Sequence, residues 1–142
     1  MAFHQLLELR VAAAQLLVHA GFLERGAQAS LVEDAVPRWQ DALGTEVPRG
    51  RAFTGLDRWG RSAQVLDAFS LEQVLHGTLL ERFNEDFYRN PATGRWLPDL
   101  ASRGQRDDAA VLASSVAGLK EPTRDVLSLT AAAKRRVDLM GA

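Results

Sequence analysis

The sequence predicts an all-α fold, an irregular bundle of five to six helices. Apolar residues recur at the three- and four-residue spacing of amphipathic helices, and no segment of useful length alternates apolar and polar residues as a half-buried strand does. Glycines, prolines and capping residues divide the chain into helix-length segments. The 142 residues are 46% hydrophobic and 25% charged, an ordinary globular balance. We therefore expect a single helical domain, residues 1–142.

The first helix is expected over residues 3–22, where the apolar sector is wide enough to indicate deep packing. Gly21 or Gly26 would end it, because glycine readily adopts the left-handed conformation found after many helices. His19 falls on its polar side, so we interpret it as a solvated surface residue.

The second helix has a start signal and a stop signal. Ser30 and Glu33 have the spacing of a capping box, in which the two side chains satisfy free backbone N–H groups. The helix would run to Leu43 and stop at Gly44. Pro37 lies inside the pattern and should kink the helix, because it lacks a backbone N–H.

Residues 44–61 have no clear period and predict a long irregular loop with Pro48, three further glycines and four arginines. Residues 62–88 then predict the longest helix. Its apolar residues share one face: Val65, Ala68, Phe69, Leu75, Leu79, Leu80, Phe83 and Phe87.

Three shorter helices complete the predicted fold. Asn90 and Pro91 indicate a cap and a first helical residue, for a helix ending near Gly104 that Pro98 would bend. A helix over residues 109–116 would follow.

The last two predicted helices each have their own start and end signals. Asp107 or Asp108 would cap the helix over residues 109–116, and Gly118 would end it. Glu121 and Pro122 would open the final helix, which ends with Met140 after the basic residues Lys134, Arg135 and Arg136.

Composition argues against several classes of function. The formal net charge is −1, so the basic excess typical of nucleic-acid binders is absent. The chain has no cysteine, which excludes disulfides, thiolate metal sites and a cysteine nucleophile. The longest charge-free run, residues 11–23, is too short to cross a bilayer, and the first residues lack a basic leader segment. These observations predict a cytoplasmic protein without membrane association.

No complete catalytic or metal-binding motif is present. A zinc-peptidase helix needs His-Glu-x-x-His, and no two of His4, His19 and His76 have that spacing. The chain has no Gly-x-Ser-x-Gly nucleophile elbow and no phosphate-binding glycine signature. We therefore expect no catalytic residue, no metal and no cofactor in this chain.

Glu72 and His76 are one helical turn apart on the predicted apolar face of the longest helix. An ionisable pair on a core face must be hydrogen-bonded, or it costs stability. One interpretation is a buried acid–imidazole pair that lines a cleft. The other is a structural polar pair, or a face that meets a partner, and we favour this second interpretation.

The irregular loop mixes guanidinium groups with an aromatic ring: Arg49, Arg51, Arg58, Trp59 and Arg61. This chemistry suits a phosphate, a carboxylate terminus or a single-stranded nucleic acid. The alternative, which we favour, is that the arginines pair with the domain's own carboxylates, such as Glu46 and Asp57. The aromatic residues Trp39, Trp96, Phe83 and Phe87 are at helical spacing and are interpreted as core residues.

An ordered series of short motifs follows the loop. It comprises Ser-Ala-x-x-Leu from residue 62, Leu-Glu-x-x-Leu from residue 71, Arg-Phe-x-Glu-Asp from residue 82 and Asn-Pro-x-x-Gly-x-x-Leu from residue 90. The series resembles the C-terminal helical region of gluzincin metallopeptidases of the oligoendopeptidase F and Taq-type carboxypeptidase families. The resemblance covers about residues 5–118 and implies a helical fold.

This chain departs from the family at the residues that carry catalysis. In these peptidases the zinc helix, the third zinc ligand and the general base precede the region of resemblance, and none of them is present in this chain. Tyrosines tend to precede the Ser-Ala helix, whereas this sequence has Trp59, whose indole is a poorer donor to a reacting carbonyl. Hydrolysis by this chain alone is therefore not expected.

Three functional hypotheses follow. The leading one is a non-catalytic helical module that resembles part of a zinc metallopeptidase and serves as an interaction or accessory domain. Its exposed apolar helix faces would bind a protein partner or a second copy. The alternatives are the substrate-cleft half of a split metallopeptidase completed by another chain, and phosphate or nucleic-acid binding through the arginine-rich loop. Any retained ligand site would lie at Arg58, Trp59, Arg61, Glu72 and His76.

Overall fold

The computed structural model describes residues 2–57, 60–103, 106–123 and 127–141. The described part is 76% helical, contains six α-helices and has no strand, which confirms the predicted all-α fold. The helices are α1 (Ala2–Arg25), α2 (Ala29–Leu43), α3 (Arg61–Phe83), α4 (Pro91–Ser102), α5 (Ala109–Val116) and α6 (Leu129–Gly141). Short 3-10 turns span Arg49–Arg51 and Phe87–Arg89.

The chain divides into two compact units. The first contains residues 1–66 and 133–142, and the second contains residues 67–132. The division falls within α3 and α6, so each of these helices contributes residues to both units. The units are described separately below.

The first unit is built on the α1–α2 hairpin. The two helices are antiparallel: Gly21 lies against Leu31 near the turn, and the Arg10 guanidinium donates a hydrogen bond to the Asp41 carbonyl at the other end. The core cluster consists of Ala14, Val18, Ala35, Trp39, Ala42 and Ala52. Trp39 is buried, as predicted, and its indole N–H donates to the carbonyl oxygen of Ala52 at 3.0 Å.

Several predicted boundaries are confirmed. Gly26 and Gly44 follow α1 and α2 with φ of 70° and 69°. The Asn90 side chain accepts a hydrogen bond from the Ala92 N–H, with Pro91 as the first residue of α4. Asp108 caps α5, whose range of residues 109–116 agrees with the prediction. Gly104 lies outside the described residues, and α4 ends at Ser102.

The predicted capping box of α2 is wrong. Ser30 lies within the helix, and the residue at the cap is Gln28, which makes no side-chain cap hydrogen bond. The reason is that α1 continues to Arg25, three residues beyond its predicted end. Only residues 26–28 are then left to reverse the chain, and α2 must begin before Ser30.

The predicted end of the longest helix is also wrong. α3 stops at Phe83, because Asn84 adopts a left-handed conformation with φ of 63°. Asparagine tolerates this conformation better than most residues and can end a helix as glycine does. Phe87 therefore lies in the following 3-10 turn, and Leu80 is exposed on α3.

The final helix begins later than predicted. α6 starts at Leu129, where the Ser128 hydroxyl accepts a hydrogen bond from the Ala131 N–H at 3.0 Å. Glu121 and Pro122 precede a segment tied to α5, because the Thr123 N–H donates to the Ser114 hydroxyl at 2.9 Å. Thr123 lies outside the helices, and residues 124–126 of the predicted helix lie outside the described residues.

Candidate interaction surfaces

The residues predicted as a site are described only in part. Arg58 and Trp59 lie outside the described residues. Arg61 is exposed at the start of α3 and belongs to the first unit, whereas Glu72 and His76 belong to the second.

Glu72 and His76 differ in environment. Glu72 is exposed, so the prediction that it projects from a core face is wrong. His76 is half-buried, and its ring meets the Phe87 ring edge-on, with centroids 5.8 Å apart. The buried residues Ser70 and Thr78 lie on other sides of the helix, whereas the buried Leu79 lies on the same side as Glu72, two turns later. This face of α3 is therefore exposed at Glu72 and covered at Leu79.

The arginine-rich loop is held by bonds to the helices beneath it. The Gln15 amide donates to the Gly55 carbonyl, and the Phe22 and Phe53 rings pack edge-on with centroids 5.9 Å apart. Arg49 forms an ion pair with Glu33 of α2, at the surface. This pairing agrees with the interpretation that the loop arginines meet the domain's own carboxylates, although the partner is neither Glu46 nor Asp57.

Asp57 has a structural role that the sequence interpretation missed. Its carboxylate is buried and accepts hydrogen bonds from the Ser62 N–H at 2.6 Å and the Ser62 hydroxyl at 2.5 Å. This arrangement satisfies a free N–H in the first turn of α3. The spacing of five residues is longer than that of a capping box, so the standard signature did not reveal it.

His19 is less exposed than predicted. The residue is half-buried, and its Nδ1 atom is buried without a hydrogen-bond partner in the described part of the chain. The prediction of a solvated side chain is therefore wrong. The cause is that α1 is covered on more than one side, as the buried residues Leu9, Ala12 and Val18 indicate.

Concave surfaces are present among the described residues of the first unit. A pocket of about 290 Å³ is formed by the end of α2 and the loop after it, with Trp39, Leu43, Val47 and Pro48 in its walls. A shallower groove of about 330 Å³ runs beside α1 and α2. Its lining is Arg10, Ala13, Ala14, Leu17, Arg38, Asp41 and Ala42.

The second unit has an aromatic cluster beside an acidic turn. The Phe83 and Trp96 rings are half-buried, with centroids 5.8 Å apart, and the Arg82 guanidinium lies 5.3 Å from the Trp96 centroid. A cavity of about 590 Å³ opens next to the turn and is lined by Leu80, Asn84, Glu85 and Asp86. The aromatic packing agrees with a structural role for Phe83 and Trp96.

Within the part of the chain that the structure describes, no three His, Asp or Glu residues are placed to hold a metal ion. Large apolar side chains are exposed instead: Phe3, Leu17 and Leu23 on α1 are 69%, 53% and 71% exposed. In the last turns of α6, Val137, Leu139 and Met140 are exposed as well.

Of the described helices, α1 alone is long and apolar enough to cross a membrane by length and composition. The core helix of a soluble protein, which is mostly buried, and a signal sequence near the N-terminus pass the same test, and 28% of the apolar window of α1 is buried. Several α1 residues are buried in the first unit, among them Ala14 and Val18 in its core cluster.

Comparison with known proteins gives no relative of this chain. No family model matches the sequence, no curated protein matches it, and no solved structure matches the fold.

Proposed function

We propose that this protein is a non-catalytic helical interaction module that acts in the cytoplasm and is related to the C-terminal helical region of gluzincin metallopeptidases. Its role is to bind another protein chain through apolar side chains of the first unit. The motif order after the loop supports the relationship to the peptidases. The exposed apolar side chains of α1 and α6 support the binding role.

The observation that carries the proposal is the number of large apolar side chains in contact with water. Leu17, Leu139 and Met140 are each more than 40% exposed in the first unit. Covering apolar surface stabilises a complex by about 25 cal/mol per Å². Soluble monomers seldom leave extended apolar patches bare, so such patches mark interaction sites.

The chemistry of the side chains points away from catalysis. The sequence has no pair of histidines at zinc-binding spacing and no cysteine. Glu72, the carboxylate one helical turn before His76, is exposed to solvent. Without a group that activates water, neither residue supports hydrolysis by the isolated chain.

The catalytic half of the proposal is tested with the purified chain, zinc chloride and a mixed library of unstructured peptides. We expect no cleavage beyond that of a buffer control, as read by mass spectrometry. Turnover that a chelator removes and that the Glu72→Gln and His76→Ala variants lose would overturn the proposal.

The binding half is tested by site-directed photo-cross-linking, for which the absence of native cysteine is an advantage. A cysteine at Leu139 carries the photoreactive label, and a cysteine at Arg95, an exposed polar position of α4, is the matched control. We expect the Leu139 label to cross-link one defined protein, which peptide mass spectrometry then identifies. Equal labelling from both positions would contradict the proposal, and a partner with a His-Glu-x-x-His helix would identify a split enzyme instead.

A further inference from the structure

We propose that a stripe of α1 formed by Leu6, Ala13, Leu17 and Ala20 is a self-association surface. A second copy of this chain packs antiparallel on this stripe, with Leu17 close to the two-fold axis. The inference rests on the proposed function, for which it names one partner. It goes beyond that function by assigning the surface and the symmetry of the complex.

The stripe consists of Leu6, Ala13, Leu17 and Ala20. Successive spacings of seven, four and three residues place them on one side of α1. Leu17 is 53% exposed, Ala20 is exposed, and Leu6 and Ala13 are half-buried. The stripe is therefore an apolar helix face that is partly open to water.

α2 packs on a different side of α1. Ala14, Val18 and Gly21 are buried there, and a Cβ atom on Gly21 would lie 2.8 Å from the Leu31 side chain. The shallow groove lined by Leu17 and Ala42 marks the border between the covered side and the stripe. A second chain can reach the stripe without displacing α2.

Charged residues at the two ends of the stripe are self-complementary. Arg10 lies seven residues before Leu17, and Glu24 lies seven residues after it, both on the same side of α1. A two-fold axis at Leu17 therefore brings Arg10 of each protomer towards Glu24 of the other, since each is about 10 Å from the axis along the helix. Opposite charges placed in this way favour one orientation and register.

Both charged residues are accessible for this pairing. Arg10 and Glu24 are exposed. Arg10 donates to the backbone carbonyl of Asp41, which holds its side chain at the edge of the groove and leaves further N–H donors. Glu24 has no ion-pair partner among the described residues.

A second copy fits the stripe better than a lipid surface does. A helix that lies in a membrane interface carries a separate polar face, whereas here an arginine and a glutamate are in line with the apolar residues. In a symmetric dimer the same patch must complement itself, and opposite charges at equal distances from Leu17 meet that condition. The small side chains Ala13 and Ala20 on either side of Leu17 permit a close approach of the two helices.

Disulfide cross-linking tests the position of the axis. In the cysteine-free chain, Leu17→Cys places two thiols near each other across the axis, so oxidation should give a covalent dimer on a non-reducing gel. Leu23→Cys is the matched control, because Leu23 is even more exposed and lies about 120° around α1 from Leu17. It should remain monomeric. Equal cross-linking of both variants would overturn the proposal.

Light scattering with size-exclusion chromatography tests the interface in the unmodified chain. We expect a concentration-dependent dimer with a Kd on the order of 10 μM, as suits a small interface. Leu17→Glu should weaken it at least about tenfold, because it places two like charges at the axis, and Leu23→Glu should not change it. Arg10→Glu should weaken the dimer, and Arg10→Glu with Glu24→Arg should restore it.

The outcomes separate this inference from the proposed function. A wild-type chain that stays monomeric, or a dimer that Leu17→Glu does not weaken, overturns the α1 interface. The cross-linking at Leu139 is a separate measurement, and its result bears on the proposed function alone. Sedimentation of the wild-type chain with phosphatidylcholine vesicles, lost in Leu17→Glu, would assign the stripe to a membrane and overturn the proposal. Helical circular dichroism of each variant verifies that it folds.

Discussion

At the scale of single residues, the carboxylate of Asp57 makes the clearest structural contribution, because it bonds to the first turn of α3. It is buried, yet it is satisfied by two donors of one residue, the N–H and the hydroxyl of Ser62. Hydrogen bonds to a charged acceptor contribute more than neutral ones, and a buried donor left without its partner is costly. Asp57 thus fixes the point at which the loop ends and α3 begins.

Replacing Asp57 by alanine should lower the free energy of unfolding by about 1–3 kcal/mol, because Ser62 then has two buried donors without their acceptor. Urea denaturation followed by circular dichroism measures the change. Glu46→Ala, at an exposed carboxylate of the same loop, is the control and should change stability by less than about 0.5 kcal/mol. Equal effects of the two substitutions would show that the Asp57 bonds add nothing specific.

At the scale of the elements, local chemistry near the helix ends decides most boundaries. Asp108 caps α5 by accepting from the Val111 N–H at 2.9 Å, whereas the adjacent Asp107 makes no such bond. The sequence left these two residues as alternatives because either spacing suits a cap. Only the backbone conformation, extended at Asp108 with ψ of 166°, selects one of them.

Asp108→Ala should destabilise the chain by about 1 kcal/mol, since the cap bond to α5 is lost. Asp107→Ala is a closely matched control, because it removes the same charge one residue away and should be nearly neutral. Thermal unfolding of the two variants measures the difference. A larger loss in Asp107→Ala would mean that the cap is wrongly assigned.

Pro37 gives a second prediction for an element. α2 continues through it, although proline cannot donate to the carbonyl oxygen of Glu33 one turn earlier. Pro37→Ala should therefore raise the free energy of unfolding by roughly 1–3 kcal/mol. Pro48→Ala should instead lower it by about 0.4–1 kcal/mol, because Pro48 lies outside the helices with φ of −61° and restricts the unfolded chain. Chemical denaturation that gave both changes the same sign would contradict this account.

At the scale of the whole molecule, the proposed function predicts that the stability of the fold does not depend on a bound metal ion. A ligand that binds only the folded state raises the unfolding midpoint, so a resident zinc site would be visible in a thermal scan. We expect zinc chloride to shift the midpoint by less than about 1 °C, with calcium chloride as the control for ionic effects. A zinc-specific rise that the His76→Ala variant loses would reveal a site that the sequence motifs do not show.

The sequence alone determined the all-α class, because the spacing of apolar residues reflects the period of a helix directly. It also located Gly44, Asn90 and the α5 helix, since those signals act within a few residues, whereas it left Gly21 and Gly26 as alternative ends of α1. For the candidate site, the sequence identified the residue types but not their positions and contacts in the fold. Glu72 was expected on a core face and lies in solvent, and the role of Asp57 was missed.

Tertiary structure decided the rest, because burial depends on which faces other segments cover. α1 is apolar around much of its circumference, so its sequence does not reveal that α2 covers Val18 and leaves Leu17 exposed. The short turn at residues 26–28 likewise overrode the capping signal at Ser30. Period and capping chemistry are local properties, whereas exposure is a property of the packed chain, and the proposed interaction surface follows from exposure.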